Sequence, residues 1–379
     1  MRIINQNYHF MGQVSNLQSK PHYAALDGLR GVAAVIVVIF HLFEAHSTNH
    51  LDQLVNHGYL AVDFFFVLSG FVVGYAYDDR WNQMSLKDFF RRRLIRLQPM
   101  IVLGGLIGAI LFYFGEGKVS PNIAESPIEL FLIAAVAGCL LIPLTRSFDV
   151  RGWDEMYPVN GPEWSLFYEY LANVLYALFI RRFSNLLLFI LVLSFGSLTI
   201  HFLMTNSNGD MVGGWALNGE QIQVGFIRLL YPFFAGLLLS RLKWNIRIPH
   251  PFFWCSISVI ILLCMPRIGG EKLWLNGIYE AACILILFPL IVVLGSSDKK
   301  EPEKKGKLCH LLGKISYPLY LTHYPFVYLY FEYIKGGNPP SAVGAWGWGI
   351  AITLFCIIAA YFYERFYETP VRRWLNRKK

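Results

Sequence analysis

Two residues of the first apolar stretch have the types and spacing needed for acid–base chemistry inside a membrane. Arg30 and His41 stand eleven positions apart, which is almost three whole turns of an α-helix. Their side chains would therefore share one face, roughly 16 Å apart along the axis. An ionisable residue is expensive at membrane depth, so its default interpretation is functional. The pair indicates chemistry arranged along a path through a bilayer.

His41 is the candidate general base. Imidazole titrates near neutral pH, so this side chain could remove the proton from a hydroxyl nucleophile. Glu44 lies about one turn further along the same face and could orient the ring. Two structural alternatives stay open: His41 could simply hydrogen-bond to a neighbouring helix, and Asp27 could simply neutralise Arg30 from three residues away.

A cluster of four arginines lies between positions 91 and 96, just before the third apolar run. Guanidinium groups three or four residues apart can hold phosphate groups bidentately, which favours Arg92, Arg93 and Arg96 as phosphate ligands. The alternative is a lipid-headgroup anchor that sets the orientation of the helix.

Further polar side chains are embedded in other apolar runs, and together they imply a shared polar interior. Glu169 could be a second essential acid that pairs with an arginine or an imidazole, although Trp164 and the tyrosines around it could equally form an interfacial belt. Ser69 precedes Gly70 and Gly74, a pattern typical of close helix packing. The set of polar interior candidates is Asp63, Ser69, Trp164, Ser165, Arg228 and His323.

The composition indicates a membrane protein. Of 379 residues, 55% are hydrophobic and only 15% are charged, whereas soluble domains are about one quarter charged. The formal net charge of +8 comes from basic residues between apolar runs, so it indicates membrane orientation and no nucleic-acid partner. The six cysteines form no CxxC pair, so we expect neither a metal site nor a disulfide framework.

The apolar runs predict the topology. Ten of them are long enough to cross a hydrocarbon core of about 30 Å, and they lie at 25–44, 58–77, 98–115, 163–181, 185–204, 221–240, 250–267, 273–294, 313–334 and 343–364. The chain has five basic clusters, at 91–96, 181–182, 241–247, 299–307 and 372–379. All five fall on one side only if an eleventh run, 128–144, does not fully cross. We therefore expect an all-α, polytopic membrane bundle of about ten transmembrane helices plus one re-entrant or non-spanning helix, with both termini cytoplasmic.

This topology divides the chain into one membrane domain and two tails. Residues 1–21 form a polar cytoplasmic tail, residues 22–375 form the membrane domain with a cytoplasmic linker at 295–307, and residues 376–379 form a basic tail. The region from Arg146 to Tyr157 mixes acidic residues, two arginines and a tryptophan. We expect it to be an external loop near a polar substrate.

In combination, six segments resemble the acyltransferase-3 family of integral-membrane acyltransferases, which modify surface glycans and some lipids or small molecules. The resemblance extends from about residue 22 to 375. After Glu169, many members continue with a Gln-Phe-Tyr-like sequence, whereas this chain has Tyr170-Leu171-Ala172-Asn173. The segments follow the family order: Arg30 with His41, Asp63 to Gly70, Arg92 and Arg93 with Arg96 and Pro99, Trp164-Ser165-Leu166 with Glu169, Arg228 before Gly236, and Leu319-Tyr320-Leu321 with His323.

The resemblance implies an enzyme of the bacterial cytoplasmic membrane, in the form without an appended esterase-like domain. It would bind no permanent cofactor, and its donor substrate would be acyl-CoA, in particular acetyl-CoA, bound from the cytosol. Its acceptor would be a hydroxyl of a surface polysaccharide or a lipid-linked precursor. Arg92, Arg93 and Arg96 would hold the CoA phosphates, Arg30 would line the donor path, and the catalytic residues would be His41, Glu44 and Glu169.

Two other function classes stay open. A transporter or flippase for a glycosylated or anionic substrate would also need a charged membrane interior, and it predicts internal repeat symmetry and broken helices. A membrane sensor could bind an acyl ligand without turnover. Only the enzyme predicts thioester cleavage that depends on His41.

Overall fold

The computed structural model describes residues 20, 22–115, 122–244, 246–297, 306–337 and 340–377. These residues form helices and no strand, which confirms the predicted all-α class. The predicted tail at 1–21 and the linker at 295–307 lie largely outside the described residues, and of the tail at 376–379 only the first two residues are described. The helices are α1 (Ala24–Glu44), α2 (Ala61–Tyr77), α3 (Leu86–Phe114), α4 (Asn122–Glu125), α5 (Ile128–Leu140), α6 (Glu163–Leu178), α7 (Asn185–Thr205), α8 (Gly219–Leu242), α9 (Pro251–Cys264), α10 (Leu273–Ala282), α11 (Phe288–Gly295), α12 (Gly306–Lys335), α13 (Ala342–Tyr363) and α14 (Thr369–Arg377).

The apolar helices make this an integral membrane protein with a polytopic helical bundle. Two of them are continued by π-helical turns, at Cys283–Leu287 between α10 and α11 and at Glu364–Glu368 between α13 and α14. Seven helical segments of the described chain are long and apolar enough to cross a bilayer: Ala24–Glu44, His57–Tyr77, Leu86–Phe114, Asn185–Thr205, Gly219–Leu242, Leu273–Gly295 and Ala342–Arg377.

The other predicted spans differ from these seven in length or polarity. The helices α6 and α9 have 16 and 14 residues, and α12 has 30 residues but is less apolar. The 13 residues of α5 extend about 20 Å at the usual helical rise. That length suits the prediction that 128–144 does not cross, whereas the count of ten crossings stays a prediction.

The helix that contains the third apolar run begins before that run. The run starts at residue 98, whereas α3 begins at Leu86 behind a capping box. The Ser85 hydroxyl accepts from the Asp88 backbone N–H at 3.1 Å, and the Asp88 carboxylate accepts from the Ser85 N–H at 3.1 Å. These bonds satisfy two N–H groups that a helix start leaves unpaired. The arginine cluster therefore lies within the first turns of α3.

Two helix pairs form the centre of the bundle, where α1 packs along α12 and α2 packs along α8. The helices α2 and α8 can approach closely because a glycine on each of them faces the backbone of the other. A Cβ at Gly236 would overlap the carbonyl oxygen of Val67, and one at Gly70 would overlap the carbonyl oxygen of Phe233. This contact agrees with the packing surface that the sequence predicts around Gly70.

We expect Gly236→Ala to destabilise the bundle by about 1–3 kcal/mol, because the added methyl group overpacks the crossing of α2 and α8. Gly349→Ala is the matched control, since a Cβ there would meet open space and alanine favours helix. The measurement is the thermal unfolding midpoint of each purified variant in the same detergent. Equal midpoints for the two variants would contradict the close crossing.

Candidate active site

A cavity of about 520 Å³ runs from an exposed basic end into the bundle. We call it the basic cavity. Its buried end is formed by Val62, Ser165 and Tyr320, and the acidic side chains Glu364 and Glu368 also line the cavity. The hydrogen bond to Asp27 raises the pKa of His22, which is one of the lining residues, above its ordinary value. The basic side chains along the cavity are Lys20, His22, Arg30, Arg80, Arg93, Arg96, His310, Lys314 and Arg372.

Arg30 lines this cavity and joins α1 to α12. Its Nε donates to the Ser316 hydroxyl at 2.8 Å, and its Nη2 donates to the Gly313 carbonyl at 3.0 Å. Asp27 lies 3.7 Å away as an additional ion-pair partner. The two roles that the sequence suggests for Arg30 are therefore compatible, because the side chain lines the cavity and is also partly neutralised by Asp27.

The structure separates the three arginines that the sequence pattern groups together. Arg96 lines the basic cavity. Arg93 is buried, and its Nη2 donates to Glu169 Oε1 at 2.6 Å. Arg92 is exposed and is not among the cavity residues. Arg92 therefore lies outside the lining of the basic cavity, and its role as a phosphate ligand stays a prediction.

Glu169 belongs to the cavity wall. Besides Arg93, its Oε1 accepts from the Ser69 hydroxyl at 3.2 Å, so three predicted site residues meet at one point. No direct contact between Glu169 and His41 occurs within the described chain. The geometry therefore gives Glu169 a role in the cavity wall, and its expected role as a catalytic acid has no contact to support it.

The buried end of the basic cavity is connected to His41 through side chains of α12. The Ser165 hydroxyl lies 2.8 Å from the Tyr320 hydroxyl. The Tyr320 ring centroid is 6.1 Å from that of His323, and the His323 ring stacks on His41 with centroids 5.5 Å apart. The His323 ring therefore lies beside both the Tyr320 ring at the end of the cavity and the His41 ring.

The hydrogen bond between His41 and Glu44 suits a general base. Nδ1 of His41 lies 2.9 Å from Glu44 Oε2, and this hydrogen bond leaves Nε2 unused among the described residues. When Nδ1–H donates to a carboxylate, the lone pair resides on Nε2. His323 donates from Nδ1 to the Tyr320 carbonyl at 2.8 Å, and its buried Nε2 has no partner within the same described part. The site can thus offer Nε2 of His41 to a hydroxyl.

The remaining predicted residues, Asp63, Arg228 and Trp164, form a separate structural cluster. Arg228 Nη2 lies 2.8 Å from Asp63 Oδ2, and both side chains are at most 1% exposed. The same guanidinium donates to the carbonyls of Tyr59 at 2.7 Å and Gly213 at 3.0 Å, and it lies 5.0 Å from the Trp164 ring. Its partners are all protein groups, which indicates bundle support.

Several site residues are missing from the sequence prediction. Lys314, Tyr317 and Tyr320 line the basic cavity, and each is a neighbour of the next on the surface of α12. The spacing of three residues between Tyr320 and His323 is the signal that could have indicated a site role for Tyr320. No group of three or more His, Cys, Asp or Glu side chains suited to a metal ion occurs in the described residues.

Comparison with known proteins identifies the family. A family model described as an acyltransferase domain, Acyl_transf_3, matches residues 23–365. The chain belongs to the acyltransferase-3 family. The resemblance that the sequence motifs indicate is therefore confirmed.

Two relatives illustrate the range of similarity within this family. The O-acetyltransferase OatA of Staphylococcus aureus (strain NCTC 8325 / PS 47) is 25% identical over 375 residues, which are 95% of this chain and 59% of OatA. The chain therefore spans less than two thirds of the length of that relative. The "Protein 2 in picA locus" of Rhizobium radiobacter is 34% identical over 169 residues, which are 42% of this chain and 84% of that protein. No solved structure matches the chain.

Proposed function

We propose that this chain is a membrane O-acyltransferase that transfers an acetyl group from acetyl-CoA to a hydroxyl of a surface glycan or its lipid-linked precursor. The donor enters the basic cavity from the cytoplasm, and the acceptor approaches His41 from the other side of the membrane. The observation that carries the proposal is the short connection from the cavity's buried end, through His323, to His41. The family and the O-acetyltransferase relative support the reaction class.

The donor would lie along the basic cavity. Its volume of about 520 Å³ is within the usual range for ligand sites, which is about 300–1,000 Å³. Arg96, Lys314 and Arg372 would bind the CoA phosphates, because charge-assisted bonds to phosphate are strong. The pantetheine arm would pass Leu97 and Phe65 and bring the thioester towards Ser165 and Tyr320, whose hydroxyls can donate to the carbonyl oxygen.

His41 would activate the acceptor. Its Nε2 takes the proton from the acceptor hydroxyl as the oxygen forms a bond to the acyl carbon. The carbon–sulfur bond then breaks, and the CoA thiolate leaves through the basic cavity and takes up a proton. Glu44 stabilises the imidazolium that forms, because its carboxylate accepts from Nδ1. The products are an ester on the acceptor and free CoA.

For the donor site, we expect Arg96→Gln to weaken acetyl-CoA binding by about tenfold or more, the usual cost of losing a hydrogen bond to a charged group. Arg92→Gln, on the same helix but outside the cavity, should bind as the wild type does. The measurement is the equilibrium affinity of each purified variant for acetyl-CoA in detergent. Equal losses in the two variants, or no loss in Arg96→Gln, would refute this site.

For the base, we expect His41→Gln to lower acyl transfer by about 10²–10⁴-fold, which is the usual contribution of a general base. Acetyl-CoA binding should be retained, and Glu44→Gln should be milder because that carboxylate only orients and stabilises the ring. The measurements are CoA release by purified protein and the acyl content of isolated surface glycan.

His201→Gln is the control at matched protein level, since this exposed histidine lies on α7. Near-normal acylation by His41→Gln would remove His41 from the mechanism. A transporter or a non-catalytic sensor would retain donor binding in every His41 variant and show no His41-dependent cleavage of the thioester.

A further inference from the structure

The segment between α5 and α6 contains a buried arginine that the mechanism above does not use. The Arg151 side chain is only 1% exposed, and its guanidinium carbon lies within 5.4 Å of four aromatic ring centroids. Phe112 is nearest at 4.2 Å, and the other rings belong to Trp153, Tyr324 and Tyr328. Ring faces attract a cation electrostatically, so they stabilise the charge where water is excluded.

Among the described residues, the Arg151 side chain makes its hydrogen bonds through one nitrogen. Its Nη1 donates to Glu155 Oε2 at 3.0 Å, to the Tyr324 hydroxyl at 3.0 Å and to the Pro158 carbonyl at 3.4 Å. The Tyr324 hydroxyl in turn donates to Glu155 Oε1 at 2.5 Å. These bonds close a triangle of Arg151, Glu155 and Tyr324, so the position of the Tyr324 ring is set from the segment between α5 and α6.

The triangle leads to the proposed base through one ring contact. Tyr324 stacks on Tyr328 with centroids 4.0 Å apart and an interplanar angle of 27°. The Tyr328 hydroxyl donates to Glu44 Oε2 at 3.1 Å, and the same oxygen lies 2.9 Å from Nδ1 of His41. The position of Arg151 is therefore transmitted to His41 through two stacked tyrosines and one carboxylate.

Burying the charged groups of this cluster costs free energy that a purely structural contact between apolar side chains would not. Burial raises the pKa of Glu155, and Arg151 opposes that shift. The Nε and Nη2 atoms of Arg151 are buried and have no partner within the described residues. Replacing buried ion pairs by well-packed apolar side chains is often neutral or stabilising. We therefore expect the cluster to have a function besides stabilising the fold.

We propose that Arg151 is a positioning residue for the reaction: with Glu155 it fixes the stacked pair Tyr324 and Tyr328, so that the Tyr328 hydroxyl holds Glu44 against His41. This inference rests on the proposed role of His41 as the base. Arg151 acts only through the tyrosines and touches neither donor nor acceptor. The segment between α5 and α6 thereby controls how well the base is aligned.

The test compares variants of the purified full chain, with acetyl-CoA as the donor and isolated surface glycan as the acceptor probe. Tyr328→Phe keeps the ring stack and removes one hydroxyl, and Arg151→Leu removes the charge. Each should lower kcat by about tenfold, the usual cost of a lost hydrogen bond to a charged group, and leave the KM for acetyl-CoA unchanged. Arg151→Lys should recover part of the loss, and Arg146→Leu, exposed in the same segment, should behave as the wild type.

The double variant Arg151→Leu/Tyr328→Phe decides whether the two residues act through the same series of contacts. Its kcat should be no lower than that of the weaker single variant, because effects that pass through one contact do not add. Losses that multiply, or wild-type kcat in a folded single variant, would overturn the inference. If Arg151→Leu does not fold, wild-type kcat in Tyr328→Phe overturns it alone.

His41→Gln is measured in parallel to separate two kinds of failure. Activity retained in His41→Gln would remove the base itself and therefore the proposed function. An inactive His41→Gln together with fully active Tyr328→Phe would leave the base in place and refute only the role of Arg151.

Discussion

The ion pair between Asp63 and Arg228 joins α2 to α8 at the centre of the bundle, with both side chains at most 1% exposed. Removing one partner of such a pair costs about 3–5 kcal/mol, because the other charge is left buried alone. Arg228 also bonds to the carbonyl of Tyr59 and faces the ring of Trp164. The pair thus fixes both α2 and α6, and these two helices carry the cavity residues Ser69 and Ser165.

One helix, α12, connects the parts of the site. Ser316 binds Arg30, Tyr320 closes the basic cavity, His323 stacks on His41, and Tyr328 holds Glu44. These positions recur every three to five residues, so they follow one broad face of the helix. A single face of α12 therefore extends from the proposed donor phosphates to the proposed base. This arrangement requires α1 and α12 to pack along their lengths, as they do.

The sequence predicts the fold class, the membrane setting and the family because these depend on composition, apolar runs and local spacing. The spacing of Arg30 and His41 also predicts that both side chains face the same partner, and both contact α12. Rotation within a helix is harder to predict from a charge cluster. Arg92 is exposed and does not line the cavity, although it stands next to Arg93 and one turn before Arg96 in the sequence.

Contacts between distant segments could not be predicted from the sequence, because spacing does not specify tertiary partners. Glu169 is paired with Arg93 on α3, and nothing in its local sequence selects that partner over an imidazole. The region around Arg151 is expected from its composition to be an external loop near a polar substrate. Its connection to His41 depends on the stacking of Tyr324 on Tyr328, which only the folded chain reveals.

In the proposed reaction, the donor and the acceptor meet across the membrane, through the connection between the basic cavity and His41. Vesicles that contain the purified protein and enclose isolated surface glycan test this step, with radiolabelled acetyl-CoA added only outside. We expect label on the enclosed glycan for the wild-type protein and none for His41→Gln, while intact acetyl-CoA stays outside. Label on glycan only when donor and acceptor share one compartment would show that no transfer across the membrane occurs.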